Sequence, residues 1–292
     1  MRVFVTGATG FIGNAVVQEL IAAGHKVLGM ARSDAGANAV SSLGAEVKRG
    51  TLEDAESLRR GAAASDAVIH LAFIHDFSKF QENCQIDQRA IEALGAALAG
   101  SDRPLIVTSG TGLLAPGRLA TEDMEIPADA PFPRVSEQTA LALKGVRASI
   151  VRLPQVHNTV KQGFVSYLIN VAREKGVSAY VGAGQTRWPA AHVLDVARLY
   201  RLALEKNEAG AKYHAVAEEG IALREIAEAI GRGLQVPVRS IAAEEAPGHF
   251  GFLSTFASTD LAASSALTRK KLGWNPTGPG MIADLEQMNY SV

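Results

Sequence analysis

The chain reads as an α/β protein: a doubly wound parallel sheet with a smaller, mostly helical lobe toward its C-terminal end. Three observations predict it. Apolar runs alternate with helix-period segments through the first half, joined by short connections. The runs Val27-Leu28-Gly29-Met30, Ala67-Val68-Ile69-His70-Leu71 and Leu105-Ile106-Val107-Thr108-Ser109 are nearly apolar on both faces, as parallel strands covered by helices on each side must be. After Pro154 the rhythm changes to predominantly helical segments.

Taken in order, the apolar runs predict strands over 2–6, 26–31, 45–49, 66–72, 104–109 and 148–153. Helical patterns fall between them at 11–23, 34–42, 54–62, 79–99 and 134–144, with Gly24 and Gly100 as natural C-terminal caps. Beyond Pro154, a helix over 161–175 precedes the irregular stretch 181–189. Asp195 opens a helix over 195–206, and 212–216 reads as one more strand. Helices over 221–233, 243–256, 264–273 and 279–288 complete the chain. The domain reading is a nucleotide-binding part over 1–157 and a substrate lobe over 158–292, with 195–216 returning to the sheet.

Composition narrows the function classes. The 292 residues suffice for one or two domains with a sizeable core. A formal net charge of −1 offers no field to gather nucleic acid or an anionic membrane, and neither is expected as a partner. The basic cluster Arg269-Lys270-Lys271 reads as a solvated helix face. Cys84 is the one cysteine, so no intrachain disulfide forms and a reducing compartment is expected. No His/Cys cluster suggests a metal site. Met1-Arg2 runs directly into the first strand without a signal peptide, and no uncharged run approaches the ~20 apolar residues of a membrane span. A cytoplasmic location is expected.

Val3-Phe4-Val5-Thr6-Gly7-Ala8-Thr9-Gly10-Phe11-Ile12-Gly13 is a strand entering a glycine-rich turn and a helix. Glycines at 7, 10 and 13 allow a tight turn, close approach of backbone to a pyrophosphate, and close packing of helix on strand. The first amides of the helix then face the phosphates, where the helix dipole favours negative charge. Gly7, Thr9, Gly10, Phe11, Ile12 and Gly13 are thus the expected cradle of a dinucleotide in a Rossmann-type sheet.

The second strand ends in Met30-Ala31-Arg32-Ser33, where an acidic residue would bind a free ribose 2′-hydroxyl. Arg32 can instead pair with a 2′-phosphate and stack on adenine, and Ser33 can add a hydrogen bond, which favours NADP(H) over NAD(H). The alternative is a solvated Arg32. Leu52-Glu53-Asp54 follows the third strand where adenine would lie, though Asp54 is equally placed to N-cap the next helix. Leu71 and Ala72 end the fourth strand, where a small residue lets the backbone approach the ribose.

These segments carry a resemblance. The chain resembles the short-chain dehydrogenase/reductase superfamily, in the extended branch that includes NAD-dependent epimerase/dehydratases and dihydroflavonol-reductase-like enzymes. The resemblance runs nearly end to end through Thr6–Gly13, Asp66–Ala72, Ile150–Pro154, Trp188–Ala197 and Leu272–Pro276. It implies a serine or threonine after the fifth strand that polarises a carbonyl, and a Tyr-x-x-x-Lys pair that protonates it. Thr108-Ser109-Gly110-Thr111 supplies the first element. The second is missing: the segment Phe132-Pro133-Arg134-Val135-Ser136-Glu137-Gln138 puts Pro133 at the tyrosine position and Glu137 at the lysine position. The resemblance also implies that the backbone of Pro154, Gln155 and Val156 meets the nicotinamide carboxamide.

Ser109 is the leading candidate for the hydrogen bond to a reacting oxygen, with Thr111 second; the alternative for each is a hydroxyl bonded to local backbone. A serine is a poor proton source, so a separate acid or a water chain is expected, the acid candidates being His75, Asp76, Tyr167 and His192. His75 beside Asp76 can hold a proton near neutral pH, against the alternative of an exposed loop. Tyr167 is a core candidate and His192 a structural one. Arg134 and Glu137 are expected to form an ion pair facing the ribose, or else a surface pair of little weight. Phe73, Phe77, Trp188 and Phe252 would wall a pocket for an aryl or bulky aliphatic carbonyl, unless they are core.

The function expected is an NADP(H)-dependent reductase or dehydrogenase acting on an aldehyde or ketone and its alcohol. The alternatives are a nucleotide-sugar epimerase or dehydratase, and a non-catalytic NADP(H)-binding redox sensor. Pairing of two chains through helices 79–99 and 134–144, as in many relatives, is left open by the sequence.

Overall fold

In the computed structural model, residues 1–112, 114–127 and 133–291 are described; Phe132 of the segment above lies outside them. The first strands and helices alternate as β1 (Arg2–Thr6), α1 (Phe11–Ala22), β2 (Lys26–Ala31), α2 (Asp34–Ser42), β3 (Glu46–Arg49), α3 (Ala55–Ala63) and β4 (Ala67–His70). They continue as α4 (Phe80–Leu98), β5 (Pro104–Gly110), α5 (Ser136–Ala142) and β6 (Arg147–Leu153). Next come β7 (Gln155–His157), α6 (Val165–Lys175), β8 (Ser178–Val181), β9 (Arg187–His192), α7 (Val193–Lys206) and β10 (Lys212–His214). The last are β11 (Glu218–Ala222), α8 (Leu223–Leu234), β12 (Val238–Ile241), α9 (Ala246–Phe250), α10 (Ser254–Ala257), α11 (Ala266–Leu272) and α12 (Met281–Gln287).

The main sheet is seven-stranded, in the order β10-β6-β5-β4-β1-β2-β3. β1 pairs in parallel with β2 (Val3 opposite Val27) and with β4 (Val3 opposite Ala67), so the chain reverses its direction of winding between β1 and β4. That reversal opens a crevice at the carboxyl ends of these strands, where ligands of such sheets bind. Burial on both faces explains why the strands read as apolar runs: Val3, Phe4, Val5, Val68 and Ile69 are all buried completely.

The chain forms two compact units, the first comprising Met1–Ser109, Asp129–Arg152 and Val196–Tyr213. The second comprises Gly110–Ala128, Leu153–Asp195 and His214–Val292. Gly110–Ala128 and the whole of β7 belong to the second unit. The first unit's core packs Phe4, Leu28, Leu58, Ile91, Leu94 and Leu105 between sheet and helices. The second unit's core gathers Val165, Ile169, Trp188, Ile226, Leu253 and Leu285.

The second unit is less helical than its sequence suggests. It holds a three-stranded sheet, β11-β9-β7, and a two-stranded one, β12-β8. The stretch 181–189 expected to be irregular thus contains the start of β9. The helix expected over 243–256 is broken into short turns, because Pro247 cannot continue a preceding helix and Gly251 adopts a positive φ of 57°.

Candidate active site

The glycine turn is built by contact with its neighbours. Gly7 has φ +71°, and a Cβ there would lie 2.8 Å from the Ala72 nitrogen, so only glycine lets β1 and the end of β4 meet. Gly10 donates its amide to the Gly7 carbonyl at 2.9 Å, and a Cβ on Gly13 would stand 2.0 Å from the same oxygen. Gly10 N-caps α1 without a side-chain bond, so the first amides of the helix remain as donors. Thr9 and Gly10 are exposed and Phe11 and Ile12 half-buried, at a helix start that carries no acidic residue. The residues expected to cradle a pyrophosphate therefore present backbone donors to an open position, and they fit a dinucleotide.

At the end of β2, Arg32 is exposed, and no hydrogen bond or ion pair engages it among the described residues. Ser33 N-caps α2, its Oγ accepting from the Gly36 amide at 3.1 Å. Arg49 reaches the same turn, donating to the Ser33 carbonyl and to Asp34 Oδ1; sequence reading missed it because it lies on a different strand. Leu52 packs into the core while Glu53 is exposed. Asp54 caps α3, accepting from the Ser57 amide at 2.9 Å. That is the helix-capping role read for Asp54, one it can fill while facing a ligand.

Beneath the carboxyl ends of β4 and β5 runs a continuous polar chain. Thr6 Oγ1 accepts from the Ala72 amide at 3.3 Å and bonds His70 Nδ1 at 2.8 Å. His70 Nε2 meets Asp87 Oδ1 at 3.1 Å, Ser136 Oγ donates to Asp87 Oδ2 at 2.5 Å, and Arg134 Nε donates to Ser136 at 2.8 Å. Burial pushes the Asp87 carboxyl up, but the bond from His70 and the His70 charge, with the Arg134 charge and the Ser136 hydroxyl, outweigh it and hold Asp87 below the ordinary carboxylate range. Arg134 Nη2 donates to the Thr108 carbonyl at 3.2 Å, and its guanidinium lies 4.1 Å over the Phe73 ring.

Thr108 itself is structural: its Oγ1 donates to the His70 carbonyl at 2.8 Å and meets Tyr200 Oη at 2.7 Å. Tyr200 is fully buried, and burial pushes its hydroxyl up, so it keeps its proton on Thr108. Ser109, the next residue, is 8% exposed and its hydroxyl has no hydrogen bond among the described residues. It is the available hydroxyl at this end of β5.

Several expectations are corrected. Arg134 and Glu137 do not pair. Glu137 forms a two-point ion pair with Arg152, at 2.9 and 2.5 Å, with both side chains buried. A charged residue inside the strand Ile150-Val151-Arg152-Leu153 was the signal for this pair, and Asp87 on the buried face of α4 was the signal for the polar chain. Thr111 is 3% exposed and its hydroxyl donates to the Leu153 carbonyl at 3.3 Å, the local backbone bond that was the alternative for it. His75 is exposed, touching Phe73 and Phe77 edge to face. The neighbouring Asp76 carboxylate accepts from the Ser78 hydroxyl and amide, bonds that hold it below its ordinary pKa. Trp188 is completely buried and donates to the Phe256 carbonyl, which makes it core rather than pocket wall.

Pro154, Gln155 and Val156 belong to the second unit, where Val156 of β7 pairs with Ala191 of β9. Gln155 Oε1 accepts from the Phe164 amide at 2.9 Å. Tyr167 packs edge to face with Phe164 and Phe252. His192 stands 4.0 Å from Asp284, whose closer partner is the buried His157 at 2.6 Å. Both outcomes match the structural alternatives for Tyr167 and His192.

The comparisons with known proteins agree with this architecture. The model of the NAD dependent epimerase/dehydratase family matches residues 3–217. Protein C2A9.02 of Schizosaccharomyces pombe is 52% identical, covering 99% of this chain and 100% of its own. The 4-hydroxy-2-methyl-3-oxo-4-farnesyl-3,4-dihydroquinoline-1-oxide ketoreductase of Stigmatella aurantiaca is 27% identical over 73% of this chain and 67% of its own. Among solved structures, the UDP-glucose 4-epimerase of Thermus thermophilus in complex with NAD superposes with a TM-score of 0.76 at 19% identity, covering 99% of each chain. The glycine turn on β1, the reversal of winding beside it and these matches have one explanation: the chain belongs to the NAD dependent epimerase/dehydratase family of the extended short-chain dehydrogenase/reductase superfamily, and is an NAD(P)-dependent oxidoreductase of that type.

Proposed function

We propose that the protein is an NADPH-dependent carbonyl reductase, interconverting an aldehyde or ketone and its alcohol. The observation that carries this reading is the unbonded Ser109 hydroxyl at the carboxyl end of β5, in the same unit as the glycine cradle. The backbone from Gly7 to Gly13 would hold the pyrophosphate, and the unengaged Arg32 with Ser33 would hold the 2′-phosphate. NADPH, when bound, supplies the hydride. Ser109 donates a hydrogen bond to the carbonyl oxygen and stabilises the negative charge that develops there. The proton that completes the alcohol is drawn from water, since Pro133 stands where the family's tyrosine would. Among the described residues, no helix is long and apolar enough to cross a membrane. A cytoplasmic location and a small-molecule substrate belong to the same reading, as does a homodimer through α4 and α5, which sedimentation velocity checks.

The test is NADPH and NADH consumption by the purified protein against a panel of aldehydes and ketones. Ser109→Ala should abolish turnover with NADPH affinity unchanged, and Arg32→Ala should remove the preference for NADPH. Full activity in Ser109→Ala overturns the reading. Glu137 is committed to Arg152 and no lysine stands in its place; this favours a second reading, a non-catalytic redox sensor, which tight NADPH binding without turnover across the panel would select.

A further inference from the structure

We propose that Arg134 is the anion receptor of this site, and that the carbonyl substrate is a 2-oxo acid with an apolar body. The inference rests on the reductase reading and names its substrate class. A guanidinium has five N–H donors arranged on two usable edges. In Arg134 one edge is spent: Nε donates to Ser136 Oγ at 2.8 Å and Nη2 to the Thr108 carbonyl at 3.2 Å. Nη1 has no partner among the described residues, and the side chain is half-buried, so the end-on edge faces reachable space. Two anchors and the Phe73 ring 4.1 Å beneath fix the plane of the group before any ligand arrives. Such an edge matches the two oxygens of a carboxylate.

The surrounding charge supports that assignment. Asp87, which the polar chain links to Arg134, lies beyond Ser136 and directs its oxygens to Ser136 and His70. It therefore secures the spent edge and leaves the other to a ligand. The carbonyl that accepts from Nη2 belongs to Thr108, the residue immediately before Ser109. The hydroxyl for a ketone oxygen and the cation for a carboxylate are thus both tied to the end of β5, and a 2-oxo acid carries both groups. Phe73, Phe77 and Phe80 are half-buried and meet at ring distances of 6.0 and 5.9 Å, an apolar platform beside the guanidinium. The reduction breaks the carbonyl π bond and forms one C–H and one O–H bond. It consumes one NADPH and one proton per 2-oxo acid and yields a 2-hydroxy acid and NADP⁺.

The test compares phenylglyoxylate with its methyl ester, which differ in the charge that Arg134 would read. The wild type should favour the acid by about 100-fold in kcat/KM, the order expected for a lost bidentate charged contact. Arg134→Gln should erase that preference through the acid alone, and Arg134→Lys, which keeps the charge but not the fork, should retain a minor part of it. Equal use of acid and ester by the wild type overturns the inference, and so does a variant that slows both equally. The wild-type ratio needs no variant to fold. Calorimetric binding of phenylglyoxylate to the NADPH-loaded protein is the second readout: binding that Arg134→Gln abolishes sustains the inference, and no binding overturns it. NADPH consumption with neutral carbonyls only would leave the reductase reading standing and this inference refuted. No consumption with any carbonyl would refute the reductase reading, while the calorimetry still decides what Arg134 binds.

Discussion

Gly13→Ala sets helix propensity against packing. Gly13 is the third residue of α1, and alanine in a helix is favoured over glycine by about 1 kcal/mol. On propensity alone the variant should be more stable. The structure reverses the sign: the new Cβ would stand 2.0 Å from the Gly7 oxygen, 2.8 Å from the Gly7 carbonyl carbon and 3.1 Å from the Ala8 Cα. All three are backbone atoms, so no side chain can swing aside. The start of α1 must move from β1 by about 1 Å, and overpacking of this kind costs about 1–3 kcal/mol. The net expectation is a loss of up to about 2 kcal/mol in urea unfolding. The same displacement withdraws the phosphate-facing amides, so NADPH affinity by fluorescence titration should fall by about 100-fold. Gly248→Ala is the control, since a Cβ there meets nothing within 4 Å and the helix gain should appear undiminished. A Gly13→Ala protein that is more stable than wild type and binds NADPH equally well would refute the reasoning.

Two further outcomes follow from buried charge. Glu137→Leu removes the carboxylate that pairs with the completely buried Arg152 guanidinium and should cost about 3–5 kcal/mol; adding Arg152→Met should recover most of the loss, both read from urea midpoints. Burial pushes the His157 imidazole below its ordinary value of 6.5 despite its bonds to Asp284, so the folded state binds fewer protons than the unfolded chain below that pH. Stability should therefore decline as pH falls through about 6.5, and His157→Asn should flatten that slope in urea midpoints taken at successive pH values.

The first half of the fold was legible because its elements are local. β1, β2 and β5 bury both faces and announce themselves as apolar runs, and α2 occupies the residues 34–42 over which its pattern was read. The second unit was harder to read. β8 and β12 are four residues each, and Val238–Ile241 presents three exposed residues, so neither shows a period; they are strands because they pair with each other. The candidate site divides in the same way. Gly7, Gly10 and Gly13 form one continuous turn, whose backbone requirements are written in consecutive residues. Arg134, Ser136, Asp87 and His70 come from the loop before α5, α5 itself, α4 and β4, and their bonds span up to 49 positions.

By itself, then, the sequence determined the parallel sheet, the nucleotide turn and the absence of the tyrosine–lysine pair, since each depends on which residues are near in the chain. Which cation answers which anion was decided only by tertiary structure. Glu137, three residues from Arg134, turns instead to Arg152, fifteen residues away, because both are buried and neither could remain charged alone. That choice leaves one edge of the Arg134 guanidinium without a protein partner among the described residues, in the same unit as Ser109 at the end of β5.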